Sequence, residues 1–116
     1  MQMESFVEKS YLYDFYGELL TEHQRQVYEQ IMFEDLSASE VAREAGISRQ
    51  GVHDMIRRCE RILEDYESKL HLVEKFLHIR DNVQKIQGYA DTILKEHPLE
   101  EVEQIKSIAS DILEEL

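Results

Sequence analysis

Residues 36–62 read LSASEVAREAGISRQGVHDMIRRCERI, a short helix, a glycine turn and a second helix. Ser37 and Glu40 stand at capping-box spacing, so a helix should start beside Ser37: the hydroxyl accepts an unpaired amide of the first turn and the glutamate reaches back. Val41 and Ala42 face inward, and small Ala42 lets the next helix cross closely. Gly46, four residues on, suits the left-handed conformation that stops a helix. Ile47 then plugs the space between the two helices, and Ser48 caps the second. There Val52, Met55, Ile56 and Cys59 recur every three or four residues as one apolar face. The opposite face carries Arg49, Gln50, His53, Asp54 and Arg57. Cap, small residue, glycine, plug and second cap agree across levels. They specify a helix-turn-helix over 37–63, with its recognition helix from 49 and a frame made by Ser37, Glu40, Ala42, Gly46, Ile47, Ser48 and Val52. In such a motif Arg49, Gln50, His53 and Arg57 look into a major groove. An ordinary pair of core helices joined by a glycine turn would keep the geometry without the nucleic acid.

The rest of the chain fits one small domain. Its 116 residues include four glycines and one proline, which leaves little room for turns and predicts an all-α protein without a winged-helix sheet. At 42% hydrophobic and 33% charged, the composition is that of a folded protein. The net charge of −12 argues against nonspecific attraction to nucleic acid or anionic membrane. Its distribution is uneven. Residues 1–42 carry two basic and nine acidic side chains, residues 43–61 five and three, and the remainder six and thirteen. The single net basic window therefore coincides with the recognition helix, as a DNA reader requires.

No apolar run is long enough for a membrane span, and MQMESFVEKSYLY lacks a basic-then-hydrophobic signal pattern, so a cytoplasmic protein is expected, with no membrane insertion. Cys59 is the only cysteine, which forbids an internal disulfide and fits a reducing compartment. It lies on an apolar helix face, which suits a buried thiol better than a nucleophile. His71 and His78 with Glu74 between them match no established zinc spacing. There is no phosphate-cradling glycine loop and no isolated pair of carboxylates for acid–base work. Neither an enzyme, a cofactor nor a metal is expected.

Upstream, Phe6, Val7, Tyr11, Phe15, Leu19 and Leu20 predict a first helix over 4–20 with a broad buried face, from which Tyr13 and Tyr16 partly deviate. Thr21 and Gln24 form a second capping box, opening a helix with Val27, Tyr28, Ile31 and Met32 inside. Phe33–Leu36 links it to the motif. The first 66 residues then make the helix-turn-helix domain.

Downstream, Leu70, Val73, Phe76, Leu77, Val83, Ile86, Ala90, Ile93 and Leu94 share a stripe. One helix from 49 to 95 would run about 70 Å, so a bend near Ser68, or an extended arm, is expected. Pro98 suits the first position of a last helix carrying Leu99, Val102, Ile105, Ile108, Ala109, Ile112 and Leu113. Residues 67–116 should form an antiparallel helical hairpin that packs on the domain or on a second copy, and a homodimer is expected.

The stretch LLTEHQRQVYEQIMFEDLSASEVAREAGISRQGV, residues 19–52, resembles region 4 of bacterial sigma-70 factors. The likeness rests on Leu19-Leu20, Gln24-Arg25, Val27, Leu36-Ser37, Glu40-Val41-Ala42, Gly46-Ile47-Ser48 and Val52. With the acidity and the added helical tail, the whole chain resembles the YlxM family of small bacterial proteins. That resemblance implies a regulatory DNA-binding protein and, through gene neighbourhood, a link to the signal recognition particle or its receptor. Arg49, Gln50, His53 and Asp54 match the positions that contact DNA in sigma region 4. A guanidinium suits guanine and a carboxamide suits adenine, whereas Asp54 can accept only from cytosine and otherwise repels phosphate. Gly51 costs about 0.5–1 kcal/mol of helix stability relative to alanine unless another group needs the space. Arg58 and Arg61 have Asp54, Glu64 and Asp65 at helical spacing. Two readings follow: a DNA reader, or an acidic protein-interaction module of the targeting machinery built on a helix-turn-helix that no longer reads DNA.

Overall fold

The computed structural model describes residues 5–116, and among them every regular element is helical. Two compact units divide the chain, residues up to Val73 and residues from Glu74 onward. The first unit holds α1 (Phe6–Tyr16), a single 3-10 turn at Gly17–Leu19, α2 (Glu22–Met32), α3 (Ala38–Ala45), α4 (Arg49–Leu70) and the start of α5 (Leu72–Glu96). The second holds the rest of α5 and α6 (Glu100–Glu115).

Each expected cap of the motif is formed. Thr21 accepts from the Gln24 amide at 3.2 Å while the Gln24 side chain accepts from the Thr21 amide at 3.0 Å. Ser37 and Glu40 reciprocate in the same way at 3.1 and 3.3 Å. Between α2, α3 and α4 lies a core of Val27, Val41, Ala42 and Val52, with Ile31, Ile47 and Met55 packed around it.

The first helix is phased differently from its predicted stripe. The expected start at Glu4 lies outside the described residues; Ser5 caps the helix by accepting from the Glu8 amide. Leu12, Tyr16 and Leu20 are buried, whereas Phe6, Val7, Phe15 and Leu19 are exposed. The reason is a polar group far along the chain. Tyr16 Oη donates to the buried carboxylate of Glu67 at 2.6 Å, which lets a phenol sit 1% exposed where an aliphatic stripe would place Phe15. The 3-10 turn then resets the phase for Leu20. Gly17 is required there, because a Cβ would stand 2.8 Å from the Tyr13 ring. Tyr13 itself stacks on Tyr28 with centroids 5.5 Å apart, and its hydroxyl meets Glu29.

The same carboxylate explains a second difference. The long helix breaks at His71, which adopts a left-handed φ of 55°, rather than near Ser68. Glu67, only 5% exposed, accepts from the Val73 amide at 3.0 Å, and Tyr16 Oη accepts from the Leu72 amide at 3.1 Å. Two of the first amides of α5, which a helix leaves without intrahelical partners, are thus satisfied by side chains of α1 and α4.

In the second unit α5 and α6 run antiparallel, tied by Gln87 Nε2 donating to Ser110 Oγ at 2.9 Å and by Lys106 pairing with Asp91 at 2.8 Å. Pro98 does not open α6. Leu99 is its N-cap without a side-chain bond, and Glu100, Glu101 and Glu103 supply negative charge to the first turn instead.

Candidate nucleic-acid interface

The geometry of the turn decides where α4 begins. Gly46 takes a left-handed φ of 71°, and the Ile47 amide bonds back to the Ala42 carbonyl at 3.1 Å, closing α3. That reversal puts Ile47 over the core between the two helices. Ser48 then caps α4, its hydroxyl accepting from the Gly51 amide at 2.9 Å. A Cβ on Gly51 would lie 3.2 Å from that same hydroxyl, so the glycine makes room for the cap oxygen of its own helix. Its position has an intramolecular reason.

The inner face of α4 buries Val52 and Cys59, with Met55 and Ile56 half-buried. Burial pushes the Cys59 thiol up to about 11, and its sulfur lies 3.9 Å from the Gln24 carbonyl. A thiol so placed is a small core hydrophobe.

All four predicted reader residues, Arg49, Gln50, His53 and Arg57, are exposed on the outer face of the first turns of α4. They are not equally free. Asp54 Oδ1 accepts from Gln50 Nε2 at 3.0 Å and from an Arg57 guanidinium nitrogen at 2.5 Å. The Arg57 guanidinium, and next the Gln50 amide, hold the Asp54 carboxyl below its usual range. One carboxylate therefore occupies two of the four candidate readers and neutralises one cation. Helical spacing offers Asp54, Glu64 and Asp65 to Arg58 and Arg61; in the structure Asp54 pairs with Arg57. Arg49 and His53 lie on the neighbouring row and, among the described residues, have no such carboxylate clamp. Arg43, exposed in the last turn of α3, is a further cation of the pair of helices that the outward face of α4 alone did not suggest.

A family profile described as "Putative helix-turn-helix protein, YlxM / p13 like" matches residues 3–108. The chain belongs to this UPF0122 family. Among similar proteins, a UPF0122 protein of Clostridium kluyveri is 40% identical over 105 residues, covering 90% of this chain and 95% of its own length. A UPF0122 protein of Shouchella clausii is 49% identical over 74 residues, 64% of this chain and 68% of its own. A third, from Caldanaerobacter subterraneus subsp. tengcongensis, is 43% identical over 83 residues, 72% of this chain and 71% of its own. The family description agrees with a helix-turn-helix reading and with the all-helical architecture. The profile also runs through α5 and well into α6, so the hairpin belongs to the family's sequence and is not an appendage to it.

Proposed function

We propose that this chain is a regulatory DNA-binding protein that seats the first turns of α4 in the major groove of duplex DNA. The observation that carries the reading is the joint placement of Arg49, Gln50, His53 and Arg57 on the exposed face of a closed helix-turn-helix. That face lies within the chain's one net basic window. Arg49 and Gln50 offer base-edge contacts and Arg57 and Arg43 phosphate contacts, with His53 beside them on the same exposed face. The acidic remainder lowers nonspecific affinity, and the cation–phosphate contacts make binding salt dependent. Two copies acting together would double the base contacts, so a homodimer is part of this reading. The absence, among the described residues, of any helix long and apolar enough to cross a membrane is compatible with a cytoplasmic site of action.

Fluorescence anisotropy of a labelled duplex library at low salt tests it. Saturable binding that is lost on charge reversal at Arg49 and Arg57 supports the reading. No binding, or binding indifferent to those reversals, rejects it.

The Asp54 clamp favours a second reading, in which the motif is a scaffold and the acidic surface recognises a basic partner. The resemblance to YlxM makes the signal recognition particle or its receptor the partner to test. Recovery of such a partner from lysate with and without nuclease separates the two, because a protein contact survives the digestion.

A further inference from the structure

The second unit buries only half of the apolar pattern that its sequence encodes. On α5, Phe76, Val83 and Ala90 recur every seven residues, and Ile79, Ile86 and Ile93 recur every seven residues three places later. On α6, Val102 and Ala109 form one such row and Ile105 and Ile112 the other. These are the a and d positions of a heptad seam. Within the hairpin the small residues of the first rows, Val83, Ala90, Val102 and Ala109, are buried. The isoleucines of the second rows are between 39 and 49% exposed. Both helices of the hairpin thus present a β-branched row at heptad spacing, the residue type and period that an opposing helix takes up.

We infer that this isoleucine face is the pairing surface for a second copy of the same chain, forming a four-helix bundle in which α5 packs antiparallel on its counterpart about a two-fold axis near Ile86. The inference rests on the homodimer in the reading above and names its surface. Charge fixes the occupant and its orientation. With the axis at Ile86, Ile79 of one copy meets Ile93 of the other. In the flanking g row, Lys75 of one copy then falls opposite Glu96 of the other, twice over. Lys75 and Glu96 are exposed and stand three heptads apart. A parallel pairing would instead set Lys75 against Arg80 of the second copy, like charges at the positions that decide partner direction. At 25 residues, α5 is about 37 Å long, enough for three isoleucine layers along the seam.

Sedimentation velocity of the full chain without DNA tests this. The expected results are a dimer for the native chain and a monomer at the same concentration for Ile86→Glu/Ile93→Glu, with unchanged helical circular dichroism. The dissociation constant of that variant should rise at least about 100-fold, as the loss of two buried isoleucines per copy implies. Lys75→Glu should weaken the dimer, and Lys75→Glu/Glu96→Lys should restore it. Because the charge swap leaves the apolar layers intact, it reads the register even if the double glutamate variant does not fold. A monomeric native chain overturns the homodimer and this surface with it. A native dimer that persists in Ile86→Glu/Ile93→Glu overturns the surface alone, and failure of the double charge swap to restore pairing overturns the antiparallel register.

Discussion

Replacing Tyr16 by phenylalanine removes a single oxygen atom, yet it should be among the most costly conservative changes in the amino-terminal unit. That oxygen donates to the Glu67 carboxylate at 2.6 Å and accepts from the Leu72 amide at 3.1 Å. A hydrogen bond to a charged group contributes about 1.5–3 kcal/mol. Removing the acceptor also leaves the Leu72 amide short of a partner and the buried carboxylate with one donor fewer. A destabilisation of about 2–4 kcal/mol follows, against a total stability of about 5–15 kcal/mol for a domain. Urea unfolding of the native chain, Tyr16→Phe, Glu67→Gln and the double variant closes a double-mutant cycle. The expected coupling is above about 1 kcal/mol. A pH series adds an independent check. Burial and the Glu67 contact push the Tyr16 hydroxyl up to about 12 from its ordinary value of 10.0. Because the folded value is the higher one, the stability is intact below pH 10 and is lost as the pH rises toward 12. Between those limits the unfolded state releases the proton and the folded state keeps it. The native chain should lose about 1.4 kcal/mol per pH unit more than Tyr16→Phe in that window. Additive single variants with the same alkaline slope would refute the lock.

Three further outcomes follow from the motif. Asp54→Asn should release Arg57 from its charge partner, raise duplex affinity roughly tenfold and steepen the salt dependence by about one counterion, as measured by anisotropy across a salt series. Ser48→Ala should cost about 1 kcal/mol in urea unfolding through the lost cap, with no compensating contact elsewhere in the turn. Cys59 should resist iodoacetamide at neutral pH, where its raised value keeps it a thiol, and react at once when the chain is unfolded.

The parts of this fold that were legible in the sequence are those whose determinants lie within a few residues of one another. The boxes Thr21–Gln24 and Ser37–Glu40, the glycine at 46 and the cap at Ser48 are local bargains between a side chain and a nearby amide, so spacing alone revealed them. The phase of α1 was not legible, because Phe15 is the better hydrophobe and only Glu67, 51 residues away, makes Tyr16 the buried one. The break at His71 escaped in part for the same reason: beside the nearby Glu67 bond to Val73, the Leu72 amide is held by Tyr16, 56 residues away. At the candidate interface, residue identity and exposure were readable, and so was the unsuitability of Asp54. Which cation it would take was not, since Arg57 and Arg58 both lie at helical distances from it and the choice depends on rotamers.

The bonds at the start of α5 also impose an order on folding. Beginning a helix is unfavourable, because several residues must be fixed before the first intrahelical bond repays them. Here Glu67 offers the Val73 amide an acceptor from six residues away, and Tyr16 offers one to the Leu72 amide once α1 and α4 have docked. The hairpin helix is therefore nucleated by a surface completed earlier in the chain. During synthesis from the amino terminus, the helix-turn-helix would be finished before the hairpin receives its starting turn.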